Sequence, residues 1–356
     1  MNRKVTLLYI SLACVLSLQA QTRQQMGGVY YAYPEGPSAK TGTFGKATYV
    51  LSDSLNVPQG YAPFYISHYG RHGSRWMPKD DRYVWICKHF EDERNLTPLG
   101  LQVKGMLQRV WENARGNGGK LSKLGALQHQ GIAHRMFERY PQIFAAGNAV
   151  KARSSVVDRC AKSMQAFTSE LHTLQPGLNL DVKTDSADMA WIAYVSPEVK
   201  ALENRTHVQA QVSPRRFLLQ LFKDVSKVDE PLKLMTEMHT VASSIQDVGL
   251  NFSSYPQDIE DGLNALFTDD EFCAIYEANN LRMAINNGTV ATNEDIPARS
   301  AISLWQNIEA EADRALRSVK SSATLRFGHD TALYRLLSLL FDVNFPPAGA
   351  REEASL

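Results

Sequence analysis

Cysteine is scarce in this chain. Four occur in 356 residues, and one of them, Cys14, sits in the N-terminal apolar stretch. Cys87, Cys160 and Cys273 allow at most one internal disulfide and leave an odd thiol, so disulfides do not build this fold. No pair has C-x-x-C spacing, which argues against a zinc ribbon. An excess of one charge is missing as well: 38 Lys and Arg face 37 Asp and Glu, for a net +1 with His neutral. Phosphate-backbone recognition needs a basic excess, so no nucleic-acid partner is expected. Internal repeats and low-complexity tracts are absent. What remains is 44% hydrophobic and 21% charged residues, an ordinary globular composition with enough apolar material for a sizeable core. The length fits one large domain or two smaller ones.

The longest apolar run is at the start. Asn2-Arg3-Lys4 is followed by the mostly apolar Val5 to Leu18, and Ala20 stands where a cleavage site is expected. That run of about 14 residues falls short of the roughly 20 that cross a bilayer. Residues 1–20 are therefore read as a cleaved signal peptide, giving a periplasmic or secreted protein with no membrane span. Loss of Arg3 and Lys4 would change the net charge to 1 − 2 = −1. Ser11-Leu12-Ala13-Cys14 weakly matches a lipoprotein signal, but apolar residues continue past Cys14, which favours cleavage over lipidation.

Residues 21–60 are rich in Gln, Gly, Tyr, Pro and Ser and read as irregular. Ala62-Pro63-Phe64-Tyr65-Ile66-Ser67 reads as a buried strand. It leads into a glycine-containing loop, His68-Tyr69-Gly70-Arg71-His72-Gly73-Ser74-Arg75. Thr97-Pro98 is a helix start, with Thr as N-cap and Pro in the first turn. Leu99, Val103, Met106, Leu107, Val110 and Trp111 then mark one apolar helix face. Further expectations are a helix at 132–140, a strand at 149–152 leading into Arg153, a helix at 156–174 and a strand at 178–182. From about 195 to 318 strand signals fade. Segments 198–211, 215–228, 231–246, 269–286 and 299–318 read as helices, broken by Pro214, Pro231, Pro256, Gly288 and Pro297. Residues 324–328 return to strand, His329-Asp330-Thr331 follow as a loop, and a short helix closes the pattern. Strands alternating with helices around a helical block imply an α/β sheet domain made from both ends of the chain, plus an α domain.

Three clusters can carry chemistry. Arg71-His72-Gly73-Ser74-Arg75 places two arginines around one histidine just after a strand, where α/β sheets put ligand sites. Arginine offers a planar fork of donors matched to phosphate oxygens. A histidine between cations resists protonation and keeps a nucleophilic nitrogen. Gly328-His329-Asp330 lies between a strand and a helix, where a helix N-terminus favours an anion. Asp330 there can cap the helix or protonate a leaving alkoxide. Arg153-Ser154-Ser155, with Arg159 further on, offers a third phosphate clamp. Read alone, each cluster is also compatible with a solvated turn, a helix cap or a surface ion pair.

Taken together the clusters resemble the histidine acid phosphatases, the second branch of the histidine phosphatase superfamily, which includes phytases and multiple inositol polyphosphate phosphatases. The resemblance rests on Arg71-His72-Gly73-Ser74-Arg75, Leu96-Thr97-Pro98-Leu99-Gly100, Arg153-Ser154-Ser155-Val156-Val157-Asp158-Arg159 and His329-Asp330, in that order over residues 60 to 341. It implies a three-layer α/β sandwich domain, 21–190 and 319–356, with an inserted, mostly helical domain, 191–318. It implies that His72 attacks phosphorus, that Arg71, Arg75 and Arg153 bind the phosphate with His329 beside them, and that Asp330 protonates the leaving group. No cofactor and no metal are implied, because Arg and His donors supply the charge stabilisation. The substrate is expected to be a small phosphomonoester, with inositol hexakisphosphate the leading candidate and mildly acidic pH preferred. Lys79, Arg82, Lys88, Arg205, Arg215 and Arg216 are candidates for its further phosphates.

Three features depart from the family pattern. Trp76-Met77-Pro78 moves the usual proline by one position. His329-Asp330-Thr331 stands where animal-type relatives carry His-Ala-Glu. The chain also stops 26 residues past Asp330, sooner than relatives do, and stability is expected to suffer if a core strand is missing. The alternatives are a broad-specificity acid phosphatase or a non-catalytic phosphate-ligand-binding relative. A zinc pair at His68 and His72 is disfavoured because Gly70 and Gly73 oppose a helix there. Ser74 lacks the flanks of a serine nucleophile.

Overall fold

The computed structural model describes residues 59–290, 292–318 and 320–341. The expected leader, nearly all of segment 21–60 and the tail from Phe345 lie outside the described residues. The elements in order are β1 (Tyr65–Arg71), α1 (Asp80–Lys88), α2 (Pro98–Ala114), α3 (Lys123–Arg139), β2 (Ala149–Ser154), α4 (Asp158–Leu174) and β3 (Asn179–Thr184). There follow α5 (Met189–Ile192), α6 (Pro197–Arg205), α7 (Arg215–Leu221), α8 (Pro231–Val248), α9 (Gln257–Asn264), α10 (Asp269–Asn287), α11 (Ile296–Arg299) and α12 (Ile302–Leu316). β4 (Ser322–Gly328) and α13 (Asp330–Leu340) complete the described chain.

The strands form one four-stranded sheet in the order β1-β4-β2-β3, with every pairing parallel. The last strand in sequence therefore sits between the first two. Burial on both sides explains why β4 reads as a nearly continuous buried run. On one face Val150, Ala152, Leu325 and Phe327 pack with Ala133 of α3 and with Met164, Phe167 and Leu171 of α4. On the other, Tyr69 packs with Trp191, Leu304 and Trp305 of α5 and α12 and with Leu336 of α13. These three layers match the expected sandwich.

A second, larger apolar cluster contains no residue of the sheet and is built from helices and the loops between them. It joins Tyr83 and Ile86 of α1, Val103, Leu107 and Val110 of α2, and residues of α7 to α10 such as Phe217, Met235, Met238, Ile245, Leu263 and Phe272. The helical block within 191–318 thus shares its core with residues 76–114, which precede β2 in sequence. Gly100 shows how tightly α2 meets α7: a Cβ there would lie 2.1 Å from the Leu221 carbonyl oxygen. Thr97 caps α2 as expected, accepting from Gly100 N at 3.0 Å, and its hydroxyl donates to Gln220 O at 2.5 Å.

Several boundaries differ from the sequence reading. β1 runs through Arg71 and β2 through Ser154, each further than expected. α3 starts at Lys123 rather than 132, capped by Ser122, its glycines Gly125 and Gly131 having hidden the helical pattern. The expected helices 198–211 and 215–228 stop at Arg205 and Leu221. α1 and α9, which the sequence reading lacks, are short and have no side-chain N-cap bond.

Candidate active site

The carboxyl ends of β1, β4 and β2 lie side by side, and each releases a loop at the same edge of the sheet. β1 leads to His72, β4 to His329 and Asp330, and β2 to Arg159 in the first turn of α4. Backbone bonds continue past the strand ends. His72 N donates to Gly328 O at 3.0 Å, and Ser155 N donates to Phe327 O at 2.9 Å. Gly73 N donates to Ser163 Oγ of α4 at 3.1 Å. A Cβ on Gly73 would lie 2.3 Å from the Gly125 carbonyl oxygen, so the loop's close seat on α3 requires glycine. Beneath His329, the Tyr69 hydroxyl donates to Ile192 O at 2.7 Å and accepts from His329 N at 3.3 Å. The Cys160 thiol donates to Gly328 O at 3.3 Å and lies 3.8 Å from His329 Nε2.

His72 is 5% exposed, and its ring meets that of His329 edge-on with centroids 5.6 Å apart. Its Nδ1 lies 2.9 Å from Gly73 O. A carbonyl only accepts, so Nδ1 carries the proton and Nε2 keeps the lone pair. Burial lowers the His72 pKa to about 3, and Arg71, Arg159 and Arg75 push the same way against the Gly73 bond. His329 is lowered to about 4, first by burial and then by Arg159, with Asp330 opposing. Both rings are neutral over the ordinary pH range.

The arginines divide into two groups. Arg71 Nε pairs with Asp330 Oδ2 at 3.0 Å, both side chains being half exposed. Arg75 donates from Nη1 to Trp76 O at 2.8 Å, while its Nε is buried without a partner. The Nε of Arg159 is also buried without a partner. Burial, then Arg159 and Arg71, lower the pKa of Arg75, so these three cations crowd one place. Unpaired buried donors are costly unless an acceptor arrives, and an oxyanion supplies one.

Arg153 is not brought to this group. It lies inside β2, paired in register with Arg326 and Lys183. Its guanidinium donates to Ala152 O and Asp181 O, each at 2.8 Å, and pairs with Asp181 Oδ2 at 2.5 Å. The expectation that Arg153 clamps phosphate is therefore corrected: the strand continues through it and delivers its side chain to the β3 edge. Arg159, past the strand end, takes the place beside His72.

Asp330 is the first residue of α13 rather than its N-cap, and its Oδ1 accepts from Thr331 N at 2.9 Å. His68 packs between Phe167 and Phe327, with ring centroids 5.7 and 5.8 Å away. Burial, then His129 and Arg326, lower its pKa to about 4, as fits a packed strand residue. Of the cations considered for further phosphates, Arg82 is bound to Glu237 at 2.8 Å and Arg216 to Glu271. Sequence reasoning missed Asp247, near the end of α8, which accepts from the Ser74 hydroxyl at 2.6 Å. Burial raises its pKa to about 6, opposed by the Ser74 bond, Arg71 and Arg75. No local pattern marks this aspartate, because its partner is 173 residues away. Cys87, Cys160 and Cys273 are free thiols. Among the described residues no group of three or more His, Cys, Asp or Glu is arranged to hold a metal, and no helix is long and apolar enough to cross a membrane.

No protein-family model matches the chain. It is 23% identical over 233 residues to multiple inositol polyphosphate phosphatase 1 of Gallus gallus, covering 62% of this chain and 51% of that protein. The chain thus spans about half the length of the curated relative it matches. The crystal structure of Bifidobacterium longum multiple inositol polyphosphate phosphatase in complex with inositol hexasulfate superposes with a TM-score of 0.62 at 15% identity, over 85% of this chain and 79% of that one. The D. castellii phytase superposes with a TM-score of 0.58 at 13% identity, over 90% and 70%. The chain is homologous to a multiple inositol polyphosphate phosphatase, and its fold is the one these phosphatase and phytase structures share, an α/β core with a helical domain.

Proposed function

We propose that the chain is an exported histidine acid phosphatase that hydrolyses inositol polyphosphates through a phosphohistidine on His72. The observation that carries this reading is the neutral, buried His72 imidazole, its Nε2 lone pair free, set beside His329 among Arg71, Arg75 and Arg159. The three guanidinium groups and His329 bind a phosphoryl group and offset the charge that spreads over its oxygens during transfer. His72 Nε2 attacks phosphorus and the ester P–O bond breaks. The leaving alkoxide takes the proton of the Asp330 carboxyl. Water then attacks phosphorus, the P–N bond breaks, and the Asp330 carboxylate takes the water proton as phosphate departs. No step requires a metal.

Two of the three cations are held in ways that suit this role. Arg75 and Arg159 each keep a buried N–H unsatisfied, while Arg71 is paired with Asp330 and can pass between that carboxylate and the incoming phosphate. Inositol hexakisphosphate is the proposed substrate, supported by the names of the relative and of the structural neighbours. Release of phosphate from it and from an aryl phosphate, measured at pH 5 with a chelator present, tests the reading. The folded protein is expected to release phosphate from inositol hexakisphosphate with the chelator present. Release only when a divalent metal is added, or none from either ester, overturns it. Comparable rates on both esters would point instead to a broad-specificity phosphatase.

A further inference from the structure

The helical block reaches the His72 loop at one side chain the mechanism does not use. Asp247, one residue before the end of α8, accepts the Ser74 hydroxyl proton at 2.6 Å. Ser74 is held between two helices, α3 and α8. Its backbone N donates to Gln128 Oε1 of α3 at 2.8 Å. Its carbonyl accepts from Ser122 N at 2.9 Å and from Ser122 Oγ at 3.0 Å, at the start of α3. Two of its polar groups are thus anchored to α3 and the third to α8. The next residue is Arg75, whose Nη1 is tied to the neighbouring Trp76 carbonyl and whose Nε is buried without a partner. The aim of that guanidinium therefore depends on the backbone at Ser74 and Arg75 more than on contacts of its own.

The choice of an acid at this position also needs explaining. Packing alone would favour a neutral side chain, since burial disfavours the Asp247 carboxylate. Groups retained against the preference of their surroundings concentrate at functional sites. The charged groups that bear on Asp247 are Arg71 and Arg75 from the site loop, and its charge in turn bears on Tyr255 in the segment before α9. Asp247 thus brings a charge from the helical block to bear on the phosphate clamp.

We propose that Asp247 is a positioning residue for the phosphate clamp, holding Ser74 from the helical block so that Arg75 projects at the transferring phosphoryl group. The inference rests on the function proposed above. It assigns the helical block a part in the chemistry. Asp247 does not touch phosphate; it acts through Ser74.

The test is a double-mutant cycle on the full chain with Ser74→Ala, Asp247→Ala and the pair, reading kcat, KM and the dissociation constant for inorganic phosphate. Each single variant is expected to weaken phosphate binding and raise KM by about tenfold, on the scale of one misplaced charge-assisted hydrogen bond. The double variant is expected to be no worse than Asp247→Ala, because both changes cut one link. Asp247→Asn, whose amide oxygen can accept the same hydroxyl proton, should stay within about threefold of wild type, with a thermal midpoint no lower. Additive effects of the two single changes, or wild-type phosphate binding in a folded Asp247→Ala, would overturn the positioning role. A drop in kcat that only follows the melted fraction overturns it too. A wild-type protein that binds phosphate but turns nothing over refutes the proposed function instead, and the binding cycle still reports on Asp247.

Discussion

Replacing Arg159 and Arg153 by alanine, one at a time, separates two roles that the sequence places within six positions. Arg159 keeps a buried guanidinium N–H free beside His72 and His329. Its loss removes a charge-assisted bond to phosphate worth about 1.5–3 kcal/mol, which corresponds to about 10- to 200-fold in kcat/KM. Arg153 is 7% exposed and spends its donors on Ala152 O, Asp181 O and the Asp181 carboxylate. Part of that ion pair is discounted, since the Asp181 side chain is 49% exposed and screened by water. Arg153→Ala is thus expected to cost about 1–3 kcal/mol of stability and to leave kcat/KM of the folded enzyme within about twofold. The assay is steady-state phosphate release at a temperature where both variants are folded, alongside thermal melts. A folded Arg153→Ala that loses catalysis while Arg159→Ala keeps it would refute the assignment.

Asp330→Asn removes the proposed proton donor while keeping the shape, so alkyl phosphates should lose about 10²- to 10⁴-fold in rate. Aryl phosphates, whose leaving groups need less help, should lose much less, and equal losses would speak against a donor role. Folding stability should fall with acid. His129 is buried and its pKa lowered to about 4, first by burial, and His72, His329 and His68 are lowered too. Below the usual histidine value of 6.5 the unfolded chain takes up protons that the folded chain refuses. Their contribution is therefore present above 6.5 and lost as pH falls toward 4, by up to about 2 kcal/mol for His129 at pH 5. Thermal midpoints should drop between pH 7 and pH 5, and His129→Gln should flatten that drop. An unchanged midpoint in wild type would contradict the burial argument.

Much of this was legible in the chain because local patterns and tertiary needs coincide. Thr97-Pro98 starts a helix in isolation and does so in the fold. Alternating strands and helices forecast an α/β sheet domain, and the ends of its strands gather His72 and His329. Strand ends were legible less well, and Arg153 was misplaced for that reason. A strand ending at Ala152 would free Arg153, whereas parallel pairing with β3 and β4 carries β2 on to Ser154. The sharing of one core by α1, α2 and the later helices was not legible, because those contacts join segments 100 or more residues apart. Asp247 escaped notice for the same reason.

The proposed covalent role of His72 is tested most directly by quenching the protein during turnover of a ³²P-labelled phosphomonoester and mapping protein-bound label. The account predicts acid-labile, alkali-stable label on the peptide that carries His72, and neither label nor turnover in His72→Ala. Continued turnover by folded His72→Ala, or label on another residue, would contradict it.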